Sequence, residues 1–277
     1  EIEPNDETAQ VVTSGESIVG SLSSADDLDW YAIEVGASGA LGVSFETEEN
    51  NYSYSFDLFI VNSEGDTLAS DSCSSQCDTT ANLVTAGLSS SGIYYVLVRS
   101  SSSSGAPSGS YTFSATYSDN TTNYELEPNN SKDTAQSLIS GTGVVGGISL
   151  ASDQDWYSIS VDSASSLSVS FETEDNNYSY SFDFEILDNL GNVLASDSCS
   201  SQCDTAANLL TAGLSTAGTY YIRVLSSSSY GAPSGSYGVT LTVSGATGGV
   251  EIEPNNETAQ VVTSGESIVG SLSSADD

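Results

Sequence analysis

The chain has no histidine and no methionine, and only 3 of its 277 residues are lysine or arginine. Without histidine, both the usual base of a nucleophilic triad and the imidazole ligand common to zinc sites are missing. The 38 acidic residues bring the net charge to −35. That balance speaks against nucleic acid and against anionic membrane surfaces, since both must be met by cations. No apolar run reaches the ~18 residues of a membrane span, and no leader segment is recognisable, so the numbering is expected to start on a mature or excised product.

What is present is 38% hydrophobic residues in a background of Ser, Thr, Gly, Asn and Asp, a composition suited to many short strands joined by turns. So many like charges repel one another unless cations screen or bind them. Salt-tolerant solubility is one consequence. A sharper one is that divalent cations belong to the structure, and calcium suits a chain rich in oxygen ligands and devoid of histidine. The cysteines come as two copies of CSSQC, Cys73 with Cys77 and Cys199 with Cys203. An even count in a Ser/Thr-rich, Lys-poor chain points to an exported protein with disulfides. A local bridge within each loop is the preferred pairing, and a link between neighbouring chains is the alternative.

Internal repetition organises the chain. SFETEENNYSYSFD (44–57) returns as SFETEDNNYSYSFD (170–183), and CSSQC and GAPSGSY return at the same offset of 126 residues. At the front the offset is 124, because NNSKDTAQ carries two residues more than NDETAQ. Residues 251–277 match 1–27 except for Asn256 in place of Asp6. The reading is therefore a first module at 1–117, a linker at 118–124, a second module at 125–243, a linker at 244–250, and the beginning of a third repeat at 251–277. A piece of that length buries no core of its own, so it is expected to dock on a complete module, in its own chain or a neighbour. The parent is expected to be a longer tandem array.

Within a module, LDWYAIEV (28–35) alternates, with Trp30, Ala32 and Glu34 on one face and Tyr31, Ile33 and Val35 on the other. ALGVSFE, SYSFDLFIV, ANLVTAGL, GIYYVLVRS and GSYTFSATY follow between turn clusters, and only ETAQ (7–10) hints at a helical turn. The pattern predicts an all-β fold of tandem antiparallel β-sandwiches. Trp30 and Trp156 are expected as core anchors.

The hexapeptide EIEPND, repeated as ELEPNN from Glu125 and EIEPNN from Glu251, places Glu1, Glu3, Asn5 and Asp6 within six residues. Pro4 holds the stretch extended, so Glu1 and Glu3 point to one side. Calcium takes six to eight oxygens, and a linker can supply several while a module supplies the rest. The second half falls on SSADDLDWY, with Asp26, Asp27 and Asp29, and on LASDQDWY, with Ser152, Asp153 and Asp155. The plainer alternative is an extended linker and a solvated Asp-rich loop.

The succession EPND…TAQ…G…D.DWY…G.YYV.V resembles the bacterial pre-peptidase C-terminal domain family, itself similar to the collagen-binding domains of clostridial collagenases. The resemblance spans each module. It implies a jelly-roll sandwich in secreted, multi-domain bacterial proteins, with an acidic linker and an Asp-rich turn that bind calcium. Matched by position, it implies Glu1, Glu3, Asn5, Asp6, Asp27 and Asp29 as ligands, with Asp26 and Ser21 at the margin. In the second module it implies Glu125, Glu127, Asn129, Asn130, Asp153 and Asp155. Asn130 stands where an acid is expected, and Ser152 and Gly147 replace Asp26 and Ser21, so the second site is expected to be weaker or to hold fewer ions.

Tyr52, Tyr54, Tyr178 and Tyr180 could stack on sugars or pack between modules, with half of them expected in the core. Sequons stand at Asn51, Asn120, Asn129, Asn177 and Asn256, of which the linker residue Asn120 is the best placed. The expectation is a non-catalytic repeat of a bacterial extracellular filament, sheath or giant surface protein, with calcium stiffening its joints and further copies of itself as partners. The alternative is a set of accessory modules on a secreted hydrolase that bind collagen or polysaccharide.

Overall fold

A computed structural model describes residues 1–47, 55–73, 83–119, 123–173, 181–199, 209–228, 231, 233, 236–245, 249–253, 255 and 259–270. It divides into two compact units, Glu1–Pro128 and Asn129–Asp277. Tyr52, Tyr54, Tyr178 and Tyr180, the sequons at Asn51, Asn120, Asn177 and Asn256, and the cysteines Cys77 and Cys203 lie outside the described residues.

The first unit is a sandwich of two five-stranded sheets. One has the order β1-β3-β8-β5-β6, built from Gln10–Val11 (β1), Leu28–Val35 (β3), Gly92–Ser100 (β8), Phe56–Val61 (β5) and Thr67–Cys73 (β6). The other has the order β10-β7-β4-β9-β2, from Leu126–Glu127 (β10), Leu83–Leu88 (β7), Gly39–Thr47 (β4), Tyr111–Ser118 (β9) and Ser17–Gly20 (β2). The long strands pair antiparallel, as the alternation predicts. The sheets are nonetheless mixed, because β1 runs parallel to β3 and β10 parallel to β7.

Alternation along β3 buries Asp29, Tyr31, Ile33 and Val35 and leaves Leu28, Trp30 and Ala32 half-buried on the outward face. Leu41, Val43 and Phe45 of β4 meet that inward row, together with Val96 and Val98 of β8 and Phe113 of β9. Two facing apolar rows of this kind exclude water from one continuous core, the main stabilising term for a sandwich.

The second unit repeats the plan. Its sheets have the orders β11-β13-β18-β15-β16 and β12-β19-β14-β17-β20. The strands of the first are Gln136–Ser137 (β11), Gln154–Val161 (β13), Gly218–Ser226 (β18), Phe182–Leu187 (β15) and Val193–Cys199 (β16). Those of the second are Gly143–Gly146 (β12), Tyr237–Ser244 (β19), Ser165–Thr173 (β14), Leu209–Leu214 (β17) and Ile252–Glu253 (β20). Ile252–Glu253 thus docks on a complete module of its own chain, parallel to β17.

Two expectations are corrected. Glu7 and Thr8 form a bend rather than a helical turn. Among the described residues only the second module, whose two extra residues bring in Ser131 as a cap bonded to Thr134, forms a 3-10 turn, over Lys132–Thr134. Trp30 is not a core anchor either. Strand alternation turns it to the outer face, where it is half-buried and meets Tyr95 at 6.1 Å, ring centre to ring centre. Trp156 is buried, as expected, but on the outer face of its strand, 6.3 Å from Tyr221.

All three basic side chains lie on this outward face. Arg99 lies over Phe59 at 4.7 Å, Arg223 over Trp156 at 5.3 Å and Lys132 over Tyr221 at 5.5 Å. Arg99 and Arg223 are not equivalent in sequence, yet each faces an acid directly across the sheet. Arg99 is 3.3 Å from Asp57, and Arg223 is 2.6 Å from Glu185.

Candidate metal centre

Two hydrogen bonds recur in the first and third copies of the hexapeptide. The Ile2 amide donates to Gln10 Oε1 at 2.7 Å and the Asn5 amide to Glu3 Oε2 at 2.8 Å. Ile252 to Gln260 (2.7 Å) and Asn255 to Glu253 (2.9 Å) repeat both bonds. In both copies the Gln of TAQ reaches back to the second residue of the hexapeptide.

In the first module this shape carries Glu1 and Glu3 to Asp29. One carboxylate oxygen from each of the three lies within 4.8 Å of the other two. Glu1 also accepts the Ser21 amide at 2.6 Å. Gly20, the last residue of β2, lies beneath: a Cβ there would fall on the Glu1 carboxylate and on the Tyr111 hydroxyl. The absent side chain is what allows the two to approach. Asp29 faces inward by the parity of its strand, and it is met from β9 by Tyr111, whose hydroxyl donates to Asp29 Oδ2. Tyr111 in turn shares a 2.5 Å hydrogen bond with Tyr31. Asn5, fully buried, hydrogen-bonds the Tyr31 side chain.

The other sequence-derived candidates take different places. Asp6 accepts the Leu28 amide at 3.0 Å, which ties the hexapeptide to the start of β3. Asp27 is buried and turns back to accept the Ser23 amide, closing the loop before β3. Asp26 is exposed. The structure thus brings together Glu1, Glu3 and Asp29, with Asn5 behind them.

The second module carries the same residue types as Glu125, Glu127 and Asp155, all three buried. Glu125 and Glu127 fall in the first unit, where Glu127 belongs to β10. In the second unit, the Tyr237 hydroxyl donates to Asp155 at 2.5 Å and is 2.6 Å from that of Tyr157. Asp153 accepts the Ser149 amide and hydroxyl, each at 2.7 Å, so it closes the turn as Asp27 does. Asn129 is fully buried and its carbonyl accepts the Trp156 amide at 3.1 Å, while Asn130 is exposed. Cys73 and Cys199 are buried at the ends of β6 and β16.

Electrostatics follow from crowding the half-buried Glu1 and the exposed Glu3 against the buried Asp29. Burial pushes the Asp29 carboxyl up to about 8; the Tyr111 bond opposes the shift, and Glu1, Asp27 and Glu3 add to it. Burial also pushes Glu1 up to about 7, helped by its hydrogen bond with Glu3 and opposed by the Ser21 amide. Tyr31 and Tyr111 are raised, by burial above all, and stay protonated donors. Asp153 is raised by burial, against the Ser149 bonds.

The donor set is all oxygen, with three acids and no nitrogen or sulfur. It fits a hard divalent cation in ligand type, and a cation is what would let these carboxyls ionise together. Sequence reasoning passed over Tyr31, Tyr111, Tyr157, Tyr237 and Gly20. One signal was available: strand parity put Asp29 on the core face with Tyr31, and an inward carboxylate requires donors.

The family model of the bacterial pre-peptidase C-terminal domain matches residues 153–226. Among solved structures, the pre-peptidase C-terminal domain of a Bacillus anthracis collagenase is 19% identical and covers 42% of this chain and 99% of its own, at a TM-score of 0.31. A Paenibacillus xanthan lyase is 11% identical over 82% of this chain and 25% of its own, at 0.25. The secreted serine protease VesC of Vibrio cholerae is 10% identical over 87% and 52%, at 0.29. None of the curated proteins matches the sequence.

Proposed function

We propose, for a chain whose second module is a bacterial pre-peptidase C-terminal domain, that it is a non-catalytic structural repeat of an extracellular bacterial assembly whose joints are stiffened by calcium. The observation that carries the reading is the convergence of Glu1 and Glu3, from the lead-in, on Asp29, from the module that follows it. The lead-in stands at each module boundary, so an ion held there fixes the chain where it would otherwise be loosest. Glu1, Glu3 and Asp29 would hold the ion in the first module, and Glu125, Glu127 and Asp155 are their counterparts. The ion supplies charge neutralisation and crosslinking of backbone segments.

The absence of histidine and the abundance of acids support a structural over a catalytic role. Local bridges of Cys73 to Cys77 and of Cys199 to Cys203 belong to the same reading, and thiol titration of the unfolded, unreduced protein tests them. Copies of the chain are the partners assigned by this proposal.

The test is a pair of measurements with and without chelator. Calcium is expected to raise the melting temperature, since a ligand of the native state stabilises it. Electron microscopy is expected to show elongated assemblies. An unchanged melt would remove the ion from the account, and discrete monomers at every concentration would remove the filament.

The outward aromatic row of Trp30, Tyr95 and Phe59 favours a second reading, an accessory module that adsorbs to an extracellular polymer. Retention on insoluble collagen or polysaccharide, lost in Trp30→Ala, would select it.

A further inference from the structure

Each module's second sheet ends on a strand that the repeat pattern assigns to the next repeat. Leu126 of β10 stands opposite Gly87 of β7, and Glu127 opposite Leu88. Ile252 of β20 stands opposite Gly213 of β17, and Glu253 opposite Leu214. The receiving strands carry the same Thr-Ala-Gly-Leu, at 85–88 and 211–214.

The glycine in that motif is demanded by the docking. A Cβ on Gly87 would fall on the carbonyl of Glu125, and a Cβ on Gly213 on the carbonyl of Glu251. In the second case that carbonyl accepts the Gly213 amide at 2.9 Å. In the docked copies Leu126 and Ile252 are half-buried, and Glu127 and Glu253 are buried.

We propose that the β7 and β17 edges are sockets for the lead-in peptide Glu-(Ile/Leu)-Glu-Pro-Asn of the following repeat, with Gly87 and Gly213 as the residues that admit it. The partner is defined by its chemistry: an extended backbone offering the carbonyl of its first glutamate, a branched aliphatic residue next, and a second glutamate after it. Such strand addition uses main-chain hydrogen bonds for affinity and also covers an edge that would otherwise pair with foreign strands. Two paired residues suffice because the peptide is tethered nearby by a short linker, which keeps its effective concentration high. The socket rests on the reading of the chain as a jointed array, but it does not depend on the metal.

Hydrogen exchange of the full chain in chelator tests the socket apart from the ion. Gly87→Val is expected to raise exchange across residues 125–127 at least tenfold and to leave 251–253 as in the parent. Gly213→Val is expected to give the reverse. The amides of Gly92–Ser100 and Gly218–Ser226 report in the same experiment whether each module is still folded. Should valine unfold a module, Leu126→Ala, which alters only the peptide, is expected to raise exchange at 125–127 with the module's core protection intact. Exchange at 125–127 equal to the parent in the folded valine variant, or in Leu126→Ala, would overturn the socket. A calcium-insensitive melt of the parent protein would overturn only the metal.

Discussion

The hydroxyl of Tyr111 donates to the carboxylate of Asp29, and in the second module Tyr237 makes the same bond to Asp155. Each pair joins residues 82 positions apart, from strands in opposite sheets of the sandwich. The acid that reaches toward the lead-in is therefore anchored in the aromatic core, where Tyr111 stacks on Phe45 at 5.3 Å.

Removing that anchor should cost more than removing its neighbour. Tyr111→Phe leaves a buried carboxylate short of a donor, and we expect about 1–3 kcal/mol of lost stability in urea unfolding. Tyr31→Phe removes a bond between two neutral hydroxyls, and about 0.5–1.5 kcal/mol is expected. Equal losses would show that Asp29 does not depend on its donor.

Asp27 and Asp29 are two residues apart but should separate cleanly in a calcium titration. Asp29→Asn removes a carboxylate from the cluster with Glu1 and Glu3, so the calcium-induced rise in melting temperature of the first module should vanish. Asp27→Asn weakens the loop that its Ser23 bond closes. It should lower the melt by a similar amount with and without calcium. Identical calcium responses in the two variants would contradict this division.

The pH dependence of the ion-free protein has a definite sign. Asp29 rises from 3.8 to about 8 and Glu1 from 4.5 to about 7 on folding, so between those limits the native state holds more protons than the unfolded one. Stability linked to these groups is fully present below about pH 4 and is lost as pH rises through 7 and 8. In chelator, the first module should therefore melt lower at pH 8 than at pH 5.5, on top of whatever other groups contribute. Calcium added at pH 7 should release protons, measurable in weakly buffered solution. A melt that rises steadily from pH 5.5 to 8 in chelator would contradict this.

The two arginines should differ. Arg223 donates through Nε and one Nη to Glu185 at 2.8 and 2.6 Å and also covers Trp156. Arg99 holds Asp57 only at 3.3 Å and is more exposed. We expect Arg223→Ala to cost about 1 kcal/mol and Arg99→Ala a few tenths, the upper and lower parts of the range for partly exposed pairs. Trp156 fluorescence should shift to the red in the first variant alone.

Much of this was legible from the residues. Period-two alternation located the long strands, and the repeat offset placed equivalent residues without any structure. The parity of LDWYAIEV also put Asp29 inward. What it could not give was the partner of Asp29, since Tyr111 lies on a strand 82 residues away and nothing local marks it. Trp30 misled for a related reason. A large aromatic suggests the core, but position 30 has the opposite parity to Tyr31 and Ile33, and its burial comes from Tyr95 on the outer face. The parallel pairing of Leu126–Glu127 was hidden because two residues have no periodicity to read.

That pairing also bears on how such a chain can grow or shrink. Because Leu126–Glu127 completes the sheet before it, the unit copied in the sequence and the unit that folds are out of step by one short peptide. The lead-ins at 1 and 251 share their first five residues, and the receiving motifs at 85–88 and 211–214 are identical. On the socket reading, a repeat added or removed at that boundary would bring a matching lead-in to a matching edge, so the junction would need no refitting.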